Sequence, residues 1–565
     1  MNILGINCFS HDTSACLLSE GGPVAFAEEE RFLRTKHTKA FPHKAVAYCL
    51  EEGGLKVGDV DYVAFTYRPV LDYARAFRDF LRRFPFSIKR FGVQTAVDAM
   101  LLYRAYDFKK TYGYRGKLVF VGHHDAHAAS GYYPSGFEEA AILSIDRGGD
   151  YLSTLLCKGT GDKITTIKKI RNPHSVGSLY TAVTEYLGFT PNSGEGKVMG
   201  LAPYGDLECL DEFRKIVRLK PDGGFKLDLS YFRYSATRFQ TSEKFHRIFG
   251  PPRVPESEME RRCENIARAL QEVTEEVALH ICRYLYGQAG SKNLCIAGGV
   301  SLNSVMNARL FRELPFEDIF IQPSANDAGT ALGAALWIEH VVLGRPRKYK
   351  MTHPYYGPGY TEEEMLECIR KRKAKHRRVD DPGAYAAQAV SQGTIVGWFQ
   401  GRMEMGPRAL GNRSILADVR GKDMKDILNR EVKHREGFRP FAPTILEEDG
   451  TDYFEDYYPA PFMLLVLPIK QEKQEVIPAV VHVDETGRHQ TLDGSANPEY
   501  RHLIEKFKEL TGVPVVLNTS FNIRGEPIVM TPDDALNCYF FTGLDVLVMG
   551  NYVLEKGPQG CPASL

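Results

Sequence analysis

The chain has 565 residues, 43 % of them hydrophobic and 25 % charged, an ordinary globular composition that excludes disordered, collagen-like and disulfide-stapled classes. At about 150 residues per domain, this length predicts two to four domains. Lys plus Arg and Asp plus Glu both number 71, so no bulk attraction to nucleic acid or to a membrane surface is expected, and a small or locally recognised substrate is favoured.

The first residues, MNILGINCFSHD, show no basic stretch followed by a long apolar one, and no uncharged apolar run approaches the ~20 residues of a membrane span. The 11 cysteines are scattered and never spaced CxxC, which argues against a disulfide framework or a zinc ribbon. A soluble, unexported protein of the reducing cytoplasm is expected.

Three apolar runs, Asn2 to Asn7, Ala15 to Leu18 and Val24 to Ala27, predict an opening sheet with a hairpin turning at Gly21-Gly22. His11-Asp12 lies on its first turn, and Glu28-Glu29-Glu30-Arg31 and Lys36-His37 follow it. His11 is a candidate base or hydroxyl orienter, or else a surface turn histidine. Residues 70–117 and 205–260, rich in Tyr, Phe and Arg but without clear motifs, are expected to form helices and loops around an acceptor site.

A strand over Leu118 to Val121 leads into GHHDAHAAS, where a helix would put His123 and His127, four apart, on one face. That spacing can seat a metal ion, although capping or buried hydrogen-bonded histidines share it. A strand over Ala141 to Ile145 delivers Asp146 into the loop DRGGD, and one over Ile319 to Gln322 precedes Asp327. A His/Asp set with open positions suits Fe(II), Mn(II) or Zn(II) better than Ca(II); each Asp alone can equally be a helix cap or a turn residue. Between them, Asn293 to Ala297 runs into Gly298-Gly299 and Asn303, and either glycine pair can bring N–H groups to a phosphate or merely turn tightly. GEGKVMG at 194–200 is either a flexible turn or a lysine-bearing active-site loop.

Composition breaks at GRPRKYKMTHPYYGPGY, Gly344 to Tyr360, which places domains at 1–350 and 351–565. TEEEMLECIRKRKAKHRR, Thr361 to Arg378, is acidic first and basic last and reads as one helix complementing its dipole. Beyond it, arginines recur beside Gly and Pro in GPRALG (406–411), VKHRE (432–436) and FRPFAP (438–443), followed by Arg488 and NTSFNIRGEP (518–527). Planar guanidinium groups on rigid turns suit carboxylate or phosphate oxygens; a set of ordinary ion pairs is the alternative.

HHDAHAASGYY, GEGKVMGLAPYG, AGGVSLN, ANDAGTALGAA, GPRALGNRS, FRPFAP and LNTSFNIRGEP span nearly the whole chain in order, and together they resemble the O-carbamoyltransferases that modify nodulation factors, cephalosporins and aminoglycosides. The resemblance implies an α/β protein with an N-terminal domain of the actin/sugar-kinase/heat-shock ATPase type, similar to threonylcarbamoyl transferases, and a C-terminal YrdC-like domain that forms carbamoyl adenylate. It implies a divalent metal, Fe(II) by preference, at His123, His127, Asp146 and Asp327, with nucleotide beside Gly298, Gly299 and Asn303. It also implies that Arg408, Lys433, Arg439, Arg488, Asn518, Ser520 and Arg524 hold carbamoyl phosphate and ATP, the latter with Mg(II). His11 and Lys36 match its catalytic positions. The acceptor would be a hydroxylated small molecule, with no nucleic acid or membrane partner, and a homo-oligomer stays open. The family runs Gly-x-Gly-Glu after the metal-side Asp, whereas Arg147-Gly148-Gly149-Asp150 stands here. A tRNA threonylcarbamoylation enzyme is the second reading, disfavoured by zero net charge; a non-catalytic ATP-binding module is the third.

Overall fold

A computed structural model describes residues 1–8, 11–69, 77–78, 81, 88–234 and 239–556. The remainder of the 70–117 and 205–260 stretches lies outside the described residues. Two compact units emerge, Met1–Glu29 with His37–Met351, and Glu30–Lys36 with Thr352–Leu565.

In the first unit, β1 (Asn2–Asn7), β2 (Ser14–Ser19), β3 (Gly22–Glu28), β4 (Tyr62–Thr66) and β5 (Lys117–Val121) form a sheet of order β3-β2-β1-β4-β5. β2 is antiparallel to β1 and β3, while β1, β4 and β5 run parallel. The hairpin turns one residue earlier than expected. Glu20 and Gly21 take φ of 52° and 86°, and Ser19 pairs with Gly22, a two-residue turn whose twist matches the flanking strands. β3 leads into a short helix, α1 (Glu29–Leu33).

The second sheet repeats the plan. β6 (Glu139–Gly149), β7 (Leu152–Thr160), β8 (Lys163–Arg171), β9 (Asn293–Ala297) and β10 (Asp318–Ile321) stand in the order β8-β7-β6-β9-β10. β6, β7 and β8 are antiparallel neighbours, and β6, β9 and β10 are parallel. This duplicated 3-2-1-4-5 order is the actin/sugar-kinase-type architecture expected for the N-terminal half.

Between the sheets lie two helices, α2 (His123–Tyr132) against β6, β7 and β9, and a helix over Thr330–Trp337 against β1, β2 and β4. Glycines permit the close approach. A Cβ on Gly5 of β1 would lie 1.9 Å from the Ala331 carbonyl oxygen, and one on Gly333 would lie 1.8 Å from that of Ala126. GEGKVMG is neither a turn nor a loop, for it opens a helix, α3 (Glu195–Leu201). Its acidic first residue suits a helix N-terminus. We label the helices Ser304–Glu313 α4 and Thr330–Trp337 α5.

The second unit is built on an eight-stranded mixed sheet, consistent with the α/β class. Its strands are β11 (Arg377–Arg378), β12 (Val396–Phe399), β13 (Arg413–Ala417), β14 (Ala442–Leu446), β15 (Gln490–Leu492), β16 (Val515–Ser520), β17 (Val546–Met549) and β18 (Tyr552–Glu555). They run in the order β11-β18-β17-β12-β13-β16-β14-β15. The single helix expected over Thr361 to Arg378 ends early. Thr361 and Glu364 form a reciprocal capping box that starts α6 (Glu362–Lys371), Lys373 turns left-handed at φ 52°, and Arg377 and Arg378 pair with Val553 and Tyr552. No apolar residue except Ala374 follows Ile369 before Val379, so nothing in that stretch could bury a further helical face.

Candidate functional site

The C-terminal ends of the parallel strands bring together the first cluster. β5 ends at Val121, and after Gly122 the first two turns of α2 present His123 and His127. Asp146 lies near the end of β6, and Asp327 stands in a 3-10 turn that leads from β10 into α5. Ligand atoms of these four side chains all lie within 4.8 Å of one another, and all four residues are buried.

His123 Nε2 is 3.5 Å from Asp146 Oδ2 and 3.6 Å from Asp327 Oδ1, and His127 Nε2 is 3.7 Å from Asp327 Oδ1. These separations exceed ordinary hydrogen bonds, and among the described residues no ring nitrogen of either histidine has a hydrogen-bond partner. Orphaned buried nitrogens are costly. Two ligands each about 2.1 Å from one ion lie roughly 3–3.5 Å apart, near the spacing found, so the set fits a divalent ion that accepts imidazole and carboxylate. Burial disfavours charge on both rings; Asp327 and Asp146 outweigh it at His123, carrying it up to about 9, but not at His127, which is lowered. Burial also opposes charge on Asp146, yet contact with His123 and the surrounding histidines holds it well below the usual carboxylate range.

The glycine loops serve this cluster. Gly299 N–H donates to Asp146 Oδ1 at 3.0 Å and Gly148 N–H to its Oδ2 at 2.9 Å. A Cβ on Gly298, at φ 99°, would lie 2.2 Å from the Ile145 carbonyl oxygen, so only glycine brings this backbone so close to β6. Asp150, in a left-handed turn with Tyr151, accepts from the His123 N–H at 2.6 Å and so supplies the cap that Gly122 lacks. Arg147 is exposed and donates to Asn192 Oδ1 at 2.7 Å. Asn303, expected beside a nucleotide, caps α4 through Met306 N–H and exchanges hydrogen bonds with Gln271.

His11 belongs to a neighbouring relay. Asp12, at φ 62°, accepts from His11 Nδ1 at 2.9 Å, His37 Nδ1 at 2.7 Å and Asn326 Nδ2 at 3.0 Å. Burial works against a charged His11, but Asp12 and Asp327 carry it up to about 9. Neither Asp12 nor His37 stands out in sequence, since only the fold closes the 25 residues between them. Lys36, one residue earlier, groups with the second unit, where its charge acts on Lys433.

That unit holds a cluster of cations. Burial lowers Arg408 to about 10, with Arg439 adding to it, and lowers Arg488 well below its ordinary value, with Arg408, Arg435 and Arg439 adding to it. Burial lowers Arg435 and Arg439 in the same way, and Glu436 is the acid whose charge opposes the shift in both. Arg524 adds its charge to that on Arg439 and donates to the His434 carbonyl at 3.5 Å. Lys433 Nζ donates to the Ser520 carbonyl and to Asn522 Oδ1. Asn518 donates to the Ala409 carbonyl at 3.2 Å and to Thr444 and Gln490. Ser520, two residues along β16, shares its face. Mutually repelling, half-buried guanidinium groups fit a preformed site for an anion of several charges. Arg435, over the Phe441 ring at 4.5 Å, stands in the VKHRE motif noted in the sequence but outside the set of anion-binding residues that the family resemblance implies. Arg413 is a contrast, being fully buried on Phe399 and bonded to backbone carbonyls.

Comparison with known proteins gives this arrangement a context. The model named Carbamoyltransferase N-terminus matches residues 2–336 and that named Carbamoyltransferase C-terminus matches residues 387–556. The protein sll1178 of Synechocystis sp. is 42% identical over 99% of this chain and 97% of its own length. Nodulation protein NolNO of Sinorhizobium fredii is 38% identical over 97% of this chain and 80% of its own. The 3'-hydroxymethylcephem-O-carbamoyltransferase of Streptomyces clavuligerus is 30% identical over 63% of this chain and 64% of its own. One family model spans more than half of the 565 residues and relatives align from end to end, so the chain belongs to the carbamoyltransferase family and is an enzyme of that family.

Proposed function

We propose that the protein is an ATP-dependent O-carbamoyltransferase working in two stages. In the second unit, carbamoyl phosphate, ATP with Mg(II), and water give carbamoyl adenylate, phosphate and pyrophosphate. In the first unit, an acceptor hydroxyl attacks the carbamoyl carbon, AMP leaves, and an O-carbamate and a proton result. The observation that carries this reading is the crowding of Arg408, Arg435, Arg439 and Arg488, with Glu436 opposing the shift only at Arg435 and Arg439, which suits the phosphates that accumulate charge as adenylate forms.

For transfer, His11 is the group we assign to the acceptor proton. Asp12 holds its Nδ1, leaving Nε2 to the hydroxyl. Because Asp12 and Asp327 favour the charged ring, the Nε2–H orients the hydroxyl at neutral pH, and Nε2 takes its proton only in the neutral fraction that grows as pH rises toward 9. A divalent ion at His123, His127, Asp146 and Asp327, Fe(II) in our reading, would supply a Lewis acid for phosphate oxygens. The name of the cephem relative, a 3'-hydroxymethylcephem-O-carbamoyltransferase, favours a hydroxyl on a small natural product as acceptor. An unstable mixed anhydride gives a reason for one chain to carry both stages.

The test is release of pyrophosphate by the purified protein with ATP, Mg(II) and carbamoyl phosphate, each omitted in turn. Release that requires carbamoyl phosphate is expected; release indifferent to it would overturn the proposal.

A further inference from the structure

Metal-ligating histidines ordinarily donate their second ring nitrogen to a carboxylate, a carbonyl or water, which fixes the ring plane. His123 departs from that rule, because its Nδ1 is buried with no such partner among the described residues. Something other than a hydrogen bond must hold its orientation. The rings of Tyr67, His124 and His127 and the backbone of Gly149 lie against it, and Tyr67 is the one that stacks on its face. The Tyr67 ring stacks on the imidazole with centroids 4.5 Å apart and planes 27° apart. Gly149 lies so close to the ring that a Cβ there would sit 2.2 Å from its Cδ2.

Tyr67 follows directly on β4, whose last residue, Thr66, pairs with Val121 of β5, and it adopts φ 80°. A bulky side chain in left-handed backbone is a conformational outlier, and such strain concentrates where the surrounding structure requires one geometry. Here that backbone goes with an aromatic face laid on a ring in the His/Asp cluster.

We propose that Tyr67 is the positioning residue for His123, its ring replacing the hydrogen bond that usually orients a metal-bound imidazole, with Gly149 leaving the room for that ring. This rests on the metal reading of His123, His127, Asp146 and Asp327. Tyr67→Phe keeps the stacked ring, Tyr67→Leu removes it, and Gly149→Ala forces a methyl carbon against the imidazole.

The experiment measures Co(II) affinity of the metal-free full-length protein by competition with a chromophoric chelator, and follows the d–d absorption of the bound ion. Melting in EDTA checks that each variant is folded. Wild type and Tyr67→Phe are expected to bind within twofold of each other with the same spectrum. Tyr67→Leu and Gly149→Ala are expected to bind at least tenfold more weakly, the loss typical of removing an orienting partner, with an altered spectrum. Unchanged affinity and spectrum in folded Tyr67→Leu would overturn the role of Tyr67, and in folded Gly149→Ala that of Gly149, whereas failure of wild type to bind Co(II) would overturn the metal reading itself.

Discussion

Buried polar atoms without partners mark where a folded chain carries cost for something outside itself, and His123 and His127 contribute all four ring nitrogens to that class. The i, i+4 spacing of this pair and the strand-end positions of Asp146 and Asp327 were legible in sequence, because helix and strand periodicities fix them locally. The Asp12–His37 hydrogen bond was not, since no local rule joins a turn residue to one 25 positions later. The cap that the Asn303 side chain provides to α4 was not read either, because its glycine-rich context points to a ligand and not to a helix start. Titration gives a residue-scale prediction elsewhere. His489 is fully buried, its Nε2 on the Tyr458 carbonyl at 2.9 Å, and burial lowers it to about 4. The unfolded ring protonates near 6.5, so the stability contributed by keeping His489 neutral is complete above that pH and is lost as pH falls toward 4. At pH 5 the loss is about 2 kcal/mol. Melting temperatures at pH 7 and pH 5 should differ less in His489→Gln than in wild type; an equal difference would remove His489 from the acid response. The arginines predict a trade-off. Burial and neighbouring cations disfavour charge on Arg488, so Arg488→Met should raise the melting temperature of the ligand-free protein while abolishing the stabilisation that pyrophosphate gives wild type. A pyrophosphate shift that survives in the variant would count against Arg488 as an anion ligand.

At the scale of elements, strands were the readable part. Asn2–Asn7 and Asn293–Ala297 stand where their apolar runs end at polar or glycine residues. Helix ends were harder, because the charge gradient of Thr361 to Arg378 cannot register the left-handed turn at Lys373 that stops α6. GEGKVMG was misread because its three glycines are strong breakers in isolation, yet α3 forms against its neighbours. The contact between α2 and α5 is where packing meets function. With Gly333 against the Ala126 carbonyl, Gly333→Ala must part the helix that bears His123 and His127 from the one that follows Asp327. Overpacking of this kind costs about 1–3 kcal/mol. A thermal melt of the variant should show that loss, together with weaker metal binding; a melt identical to wild type would show that the two helices are free to separate.

For the whole molecule, duplicated sheets in one unit and an eight-stranded sheet in the other give the chain two sites of different chemistry, a His/Asp cluster and an arginine cluster. Glu30–Lys36 groups with the second unit although it leaves the first sheet. There Arg31 donates to the Gly406 carbonyl at 2.8 Å, Arg34 to that of Ile528 at 2.7 Å, and Phe32 packs on Met403, Ala409, Ile528 and Met530. No feature of EERFLRTK announces this, because the complementary surface is assembled from residues more than 370 positions away. If each unit performs one stage, as proposed, pyrophosphate release and acceptor carbamoylation will part company when both are measured in Asp327→Ala and Arg439→Ala. Asp327→Ala should still release pyrophosphate in the presence of carbamoyl phosphate while forming no carbamoylated product, and Arg439→Ala should do neither. Carbamoylation by Asp327→Ala, or pyrophosphate release undiminished in Arg439→Ala, would contradict the division of labour.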